Sequence, residues 1–205
     1  MKILLIGATG TIGSAITKEA QQMGHQVIGV SRSSRPSIDI ENNESVDSFF
    51  RGHGLFDAIV CVAGRASFGS FQKLSDEEWR LGLDSKLQGQ VRVSRHGLSS
   101  LNPGGKIILT GGMLAYSPWP DTSNIALVNA GLEGFVRAIN LELTDKKALI
   151  VHPPLVKETA LAMGMDGSTW PSSSEIAKVY LDTLEASESI PVRYVSGYTP
   201  EALSA

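Results

Sequence analysis

Gly7, Gly10 and Gly13, separated by Ala8-Thr9 and Thr11-Ile12, follow an apolar run from Ile3 to Ile6 and precede residues with helical spacing. A strand that turns through glycines into a helix is built for a phosphate. One glycine turns the chain sharply, one lets a pyrophosphate approach the backbone, and one lets the helix pack on the sheet. The phosphate then sits on free N–H groups at the helix start. The stretch predicts a dinucleotide site at Gly7, Thr9, Gly10, Thr11, Ile12 and Gly13. A second apolar strand, Val27 to Val30, ends on Ser31-Arg32-Ser33, without the carboxylate that would grip two ribose hydroxyls. A guanidinium and two hydroxyls suit a 2'-phosphate instead, so a dinucleotide that carries one is expected in preference to one that does not.

The elements that must position these residues alternate. Ile12, Ile16, Ala20 and Met23 recur at helical spacing until Gly24 stops the helix before strand two. Ser31 to Pro36 is too short for a crossover helix, so a helix between strand two and a short third strand, Ser37 to Ile40, is expected to be absent. Asn43 to Arg51 reads as a short helix, and Asp57 to Val62 as a buried strand. Ser75 and Glu78 form a capping box opening a long helix whose stripe, Trp79, Leu83, Leu87, Val91, continues to Leu98. Strand Ile107 to Leu109 follows. A second long helix, Ile125 to Leu143, leads to strand Ala148 to Val151, which Pro153-Pro154 ends. Leu155 to Pro171 has no sustained period and reads as an apolar flap over a site or an ordinary surface loop. Ser174 caps a last helix through Leu184, before a final strand, Val192 to Val195.

At 205 residues with 42% hydrophobic content and no linker, the chain reads as one soluble α/β domain, 1–205. A net charge of −3 without runs of like charge suggests neither nucleic acid nor an anionic membrane as partner. Cys61 is the only cysteine, which excludes an internal disulfide and a cysteine metal cluster, and its apolar setting reads as core. No metal constellation stands out among the histidines. No run is long enough to span a membrane and the first residues enter a strand directly, so a cytoplasmic location is expected.

Several further features resemble the short-chain dehydrogenase/reductase family from Met1 to about Leu181. They are Cys61-Val62-Ala63-Gly64 at the family's Asn-Asn-Ala-Gly position, Trp79 by the long helix, Gly105-Lys106-Ile107-Ile108 before the next strand, and Gly131-Leu132-Glu133-Gly134-Phe135 inside the second helix. The resemblance implies a doubly wound, mostly parallel Rossmann sheet with a nicotinamide cofactor along the carboxyl ends of its strands. Gly7, Thr9, Gly10, Ile12 and Gly13 match the pyrophosphate loop, Asp39 and Ile40 the adenine contact, and Ala63 and Gly64 the loop beside the adenine-side ribose. Pro153, Leu155 and Val156 match the segment flanking the nicotinamide, where Pro154 replaces the family's usual glycine and removes a backbone N–H. The resemblance also implies a homodimer or homotetramer paired through the two long helices.

The family's proton donor is a Tyr with a Lys four positions later, a Ser thirteen residues ahead and an Asn on the preceding long helix. Aligned on the helix 130–143, this chain has Ile125 for the Tyr, Asn129 for the Lys, Gly112 for the Ser and Lys86 for the Asn. The loss does not depend on the alignment: four residues after tyrosines 116, 180, 194 and 198 stand Pro120, Leu184, Tyr198 and Ala202. Hydride delivery to a carbonyl leaves an oxyanion that needs a proton. Lys86 is a candidate to stabilise that oxyanion or donate to it, or is a solvated helix lysine beside a carboxylate. Tyr116, on a loop bordering the same site, is a second candidate acid, or an aromatic wall. His152, at a strand end, is a titratable group near the nicotinamide or a structural one. Two functions follow from this. One is an NADP(H)-dependent oxidoreductase with a non-standard proton donor, acting on a small molecule the sequence does not name. The other is a catalytically silent NADP(H)-binding sensor or regulator.

Overall fold

The structure, a computed structural model, describes residues 1–188 and 190–203; Ser189, Ser204 and Ala205 of the expected 1–205 domain lie outside the described residues. Chain order is β1 (Lys2–Ile6), α1 (Thr11–Gln22), β2 (Gln26–Val30), α2 (Asn43–Gly52), β3 (Phe56–Cys61) and α3 (Asp76–Gly82). A π-helical segment (Leu83–Gln88) then leads to α4 (Gly89–Gly97), β4 (Leu101–Thr110) and α5 (Ser123–Ile139). The chain continues with β5 (Lys147–His152), α6 (Lys157–Ala162), α7 (Ser173–Glu185), β6 (Val192–Tyr194) and a short α8 (Pro200–Leu203). The six strands form one parallel sheet in the order β2-β1-β3-β4-β5-β6.

Parallel neighbours need crossover helices, and helices on both faces bury the strands from both sides, which is why the central strands are unbroken apolar runs. Alternate strand residues divide between two cores. Leu4, Ile6, Ile59, Ile107 and Leu109 pack under α2, α4 and α5 through Phe49, Val93 and Leu132. Ile3, Leu5, Val60, Ile108 and Leu149 pack under α1 and α7 through Ile16, Ile176 and Tyr180. The chain starts mid-sheet at β1, runs to the β2 edge and returns past β1 to β3. That reversal leaves a crevice at the carboxyl ends of β1 and β3, where such sheets bind ligands. No helix among the described residues is long and apolar enough to cross a membrane.

The α/β Rossmann architecture is as expected, with several corrections in detail. Residues 31–36 carry no helix, but Ser37 to Ile40 is not a strand; it contributes a single bridge, Ser31 to Ser37. The third strand is Phe56–Cys61, and α2 stands between it and β2. Ser34 explains the tight turn, since its hydroxyl receives Ser31 N–H at 2.7 Å and lies 2.7 Å from Pro36 O, satisfying backbone that a ladder would otherwise pair.

The first long helix is three pieces, with the Ser75–Glu78 capping box formed at its start and a π-helical segment in its middle. The second ends at Ile139, where Asn140 bonds Val136 O and both backbone groups of Ala148. The segment after Pro154 contains α6, so it is neither a bare loop nor a structureless flap. Ser172, not Ser174, caps α7, in a second capping box with Glu175; Ser174 instead donates to Glu19 on α1 at 2.8 Å.

Candidate functional site

The glycine turn assigns a separate job to each glycine. Gly7 has φ 93°, in the left-handed region, and a Cβ there would stand 2.9 Å from Ala63 N. A Cβ on Gly13 would come within 2.1 Å of Gly7 O, so Gly13 is what lets α1 lie against the turn. Gly10 is open: a Cβ there would stand 3.5 Å from Gly7 O, an ordinary contact. No side chain caps α1 at Gly10, and an uncapped helix start opening on a crevice is a phosphate receptor. The open cradle and the tight packing behind it fit a dinucleotide pyrophosphate.

Gly7, Thr9, Gly10, Ser31, Arg32, Asp39, Ile40, Ala63 and Gly64 line one cavity. Three residues that the sequence did not single out join them: Glu41, Arg65 and Ser85. Thr11 and Ser33 do not line it; Ser33 stands behind Ser31, with their hydroxyls 3.3 Å apart.

Val62 lines both this cavity and a second, lined also by Ile12, Lys86, Gly111, Gly112, Ile125, Asn129, Pro153 and Leu155, with Phe68, Met113 and Trp119 as apolar wall. Lys86, Gly112, Ile125 and Asn129, the four positions aligned with the family's proton-transfer set, therefore face one space. Val156 is not among its lining residues; it is buried in the core as the residue before α6.

Lys86 sits in the π-helical segment, a geometry often found at functional sites. Its Nζ donates to Gly111 O at 2.8 Å. Burial lowers its pKa from the usual 10.5 to about 8, with neighbouring Cys61 acting in the opposite sense. The side chain is partly exposed by surface area, its opening to solvent being the cavity itself. Gly64, with φ 136°, allows this approach, because a Cβ there would be 2.9 Å from Lys86 Cα. Lys86 is thus not the solvated surface lysine of the alternative reading. Beside it Asn129, 1% exposed, has a buried Oδ1 without a hydrogen-bond partner, an acceptor suited to a ligand hydroxyl or N–H.

Tyr116 is elsewhere. Its hydroxyl donates to Tyr198 O at 2.6 Å, burial raises its pKa, and it lines a different cavity with Glu133, Arg137 and Tyr194. Its sequence position four residues after Gly112 does not carry it into the Lys86 cavity: after the turn Met113–Ala115 its ring packs edge-on against His152 and Tyr194, beside Ala130, Glu133 and Arg137. His152 is fully buried behind the site. Its Nδ1 lies 3.0 Å from Gly112 O, its Nε2 is 3.2 Å from Glu133 Oε2 without hydrogen-bond geometry, and burial lowers its pKa. It supports the Gly111-Gly112 backbone from below.

The family model described as enoyl-(acyl carrier protein) reductase matches residues 7–170. The chain belongs to the short-chain dehydrogenase/reductase family. Among curated members, the 3-oxoacyl-[acyl-carrier-protein] reductase FabG of Rickettsia felis is 24% identical over 174 residues, covering 75% of this chain and 72% of the relative. The corresponding reductase MabA of Mycobacterium avium is 25% identical, covering 80% and 70%. Among solved structures, the protein lin1944 from Listeria innocua superposes with a TM-score of 0.89 at 28% identity, covering 95% of this chain and 99% of that one. A small-chain dehydrogenase in complex with NADPH gives 0.87 at 26%, covering 100% and 99%. Glu41, Arg65 and Ser85 escaped the sequence reading of this family member because they come from three separate segments, and no local spacing joins them.

Proposed function

We propose that this short-chain dehydrogenase/reductase binds NADP(H) and reduces a small apolar acceptor, with Lys86 in the place of the family's tyrosine as proton donor and oxyanion partner. Lys86 carries the reading, since its ammonium has a pKa near 8 and lines the cavity shared by Gly112, Ile125 and Asn129. A general acid works best when its pKa is near the operating pH. When bound, the reduced nicotinamide supplies a hydride to carbon. Lys86 holds the oxygen on which negative charge appears, passes it a proton, and regains that proton from solvent through the cavity. Gly7, Thr9 and Gly10 hold the pyrophosphate, Arg32 the 2'-phosphate, Asp39 and Ile40 the adenine, and Pro153 and Leu155 flank the nicotinamide. Phe68, Met113 and Trp119 exclude water and favour a flat apolar substrate.

One observation favours the second reading, a catalytically silent NADP(H)-binding sensor: Lys86 already spends a hydrogen bond on Gly111 O. The two readings separate in an NADPH oxidation assay against ketones, quinones, flavins and activated alkenes. The enzyme reading expects turnover on at least one conjugated acceptor that Lys86→Ala lowers at least tenfold without changing NADPH affinity. NADPH binding without turnover on any acceptor class would establish the silent binder. The chain is further proposed to form a homodimer or homotetramer through α3, α4 and α5.

A further inference from the structure

The cavity of the glycine turn contains an arrangement that the cofactor reading leaves unexplained. Glu41, from the turn after Asp39, extends its carboxylate between two guanidinium groups from different segments. Arg65 Nη2 donates to both oxygens, at 2.9 and 3.2 Å, and Arg32 Nη1 stands 3.9 Å from Oε1. Ser85 Oγ donates to the same Oε1 at 2.9 Å and in turn receives Arg65 N–H at 3.0 Å. Two guanidiniums and a hydroxyl around one set of anionic oxygens is the donor set of a phosphate site. All four residues line the cavity of the glycine turn.

We infer that Glu41 is an internal anion occupying the place of the cofactor's 2'-phosphate, and that Arg65 is a second cation of that subsite beside Arg32. The inference rests on the NADP(H) reading above and adds to it the residue that competes with the phosphate. The backbone beneath Glu41 is fixed independently of its side chain. Arg92 Nη1 donates to the carbonyls of Ile40, Glu41 and Asp84 at 3.2, 3.2 and 3.3 Å, and Glu41 N donates to Asp39 Oδ1 at 3.0 Å. The carboxylate can therefore swing out while the turn stays. Burial raises the Glu41 pKa, but the bonds from Arg65 and Ser85 and the charges of Arg65 and Arg32 outweigh it, so the group is ionised at neutral pH. A phosphate entering the subsite must displace it, whereas NADH, lacking that phosphate, leaves the Glu41–Arg65 pair in place. Discrimination between the two cofactors then depends on Glu41 as much as on Arg32.

The test measures dissociation constants by calorimetry for NADPH, NADH, adenosine 2'-monophosphate and adenosine 5'-monophosphate with the full chain. Glu41→Gln keeps one acceptor oxygen for Ser85 and Arg65 but removes the charge and turns the other oxygen into an NH2 donor, so it should tighten NADPH and adenosine 2'-monophosphate about tenfold and change NADH less than twofold. Arg65→Ala should weaken the same two ligands about tenfold and spare the other two, and Arg65→Lys should recover part of the loss. Weaker NADPH binding by Glu41→Gln, or equal shifts for both cofactors, overturns the inference. Arg32→Ala serves as the separate control. If it weakens NADPH selectively while the Glu41 and Arg65 variants leave the NADPH/NADH ratio unchanged, only this inference fails. If it too leaves the ratio unchanged, the NADP(H) reading fails with it.

Discussion

Replacing Lys86 by methionine removes a buried ammonium and keeps an apolar stem of similar length. In the folded protein its pKa is about 8 against an ordinary 10.5. At about 1.36 kcal/mol per unit, that displacement corresponds to roughly 3 kcal/mol, and access to cavity water reduces it to about 1–2 kcal/mol. The sign follows from proton linkage. Below pH 8 lysine is charged in both the folded and the unfolded chain, and the folded state bears the full cost of holding it. Between pH 8 and 10.5 the unfolded chain binds more protons, so stability rises with pH, and above 10.5 the cost is gone. Parent minus Lys86→Met stability, from urea unfolding at half-unit steps from pH 6.5 to 10.5, should therefore increase by about 1–2 kcal/mol across that window. The lost bond to Gly111 O adds only an offset independent of pH below 8. Turnover should move the opposite way, falling above pH 8 as the ammonium is lost. A stability difference that stays flat with pH would refute the assignment of a depressed lysine, and turnover unaffected by the substitution would remove Lys86 from the chemistry.

Tyr116→Phe should leave turnover within about twofold and cost about 1 kcal/mol in thermal or urea unfolding, because it removes a hydrogen bond to Tyr198 O and nothing facing the Lys86 cavity; a hundredfold fall in turnover would return Tyr116 to the site. Gly13→Ala drives a methyl to 2.1 Å from Gly7 O, so α1 must shift; about 1–3 kcal/mol of stability should be lost together with NADPH binding measured by calorimetry, and unaltered binding would contradict the packing role given to this glycine. Sedimentation at micromolar concentration should show a dimer or tetramer, and a monomer would exclude pairing through α3, α4 and α5.

The sequence by itself determined the sheet and the position of the glycine turn. Runs such as Ile3–Ile6 and Ala148–Val151 are apolar at every position because helices cover both faces, and that pattern is local. The spacing of the glycine turn is local too, since the close contact of Gly13 with Gly7 O lies within seven residues, although Gly7 itself also abuts Ala63 on the neighbouring strand end. Locality also explains the errors. Ser37 to Ile40 has the composition of a strand but not the ladder, because whether an edge residue pairs depends on what the chain places beside it, and here, after the single bridge at Ser37, Asp39 N–H goes to the Ser45 hydroxyl of α2. The break of the Trp79 helix into a π-helical segment left the four-residue stripe undisturbed and so gave no signal.

Tertiary structure alone decided which chemical groups meet. Tyr116, on a loop, and Lys86, on a helix, read alike as candidates bordering one site, but a side chain's direction is set by packing, and only Lys86 reaches the cavity with Gly112, Ile125 and Asn129. Its depressed pKa comes from burial by neighbours distant in sequence, as do the orphaned oxygen of Asn129 and the bridge of Glu41 between Arg32 and Arg65. Charge and desolvation act through space, so residues 24 positions apart, such as Glu41 and Arg65, form one site only once the sheet has brought the ends of its strands together.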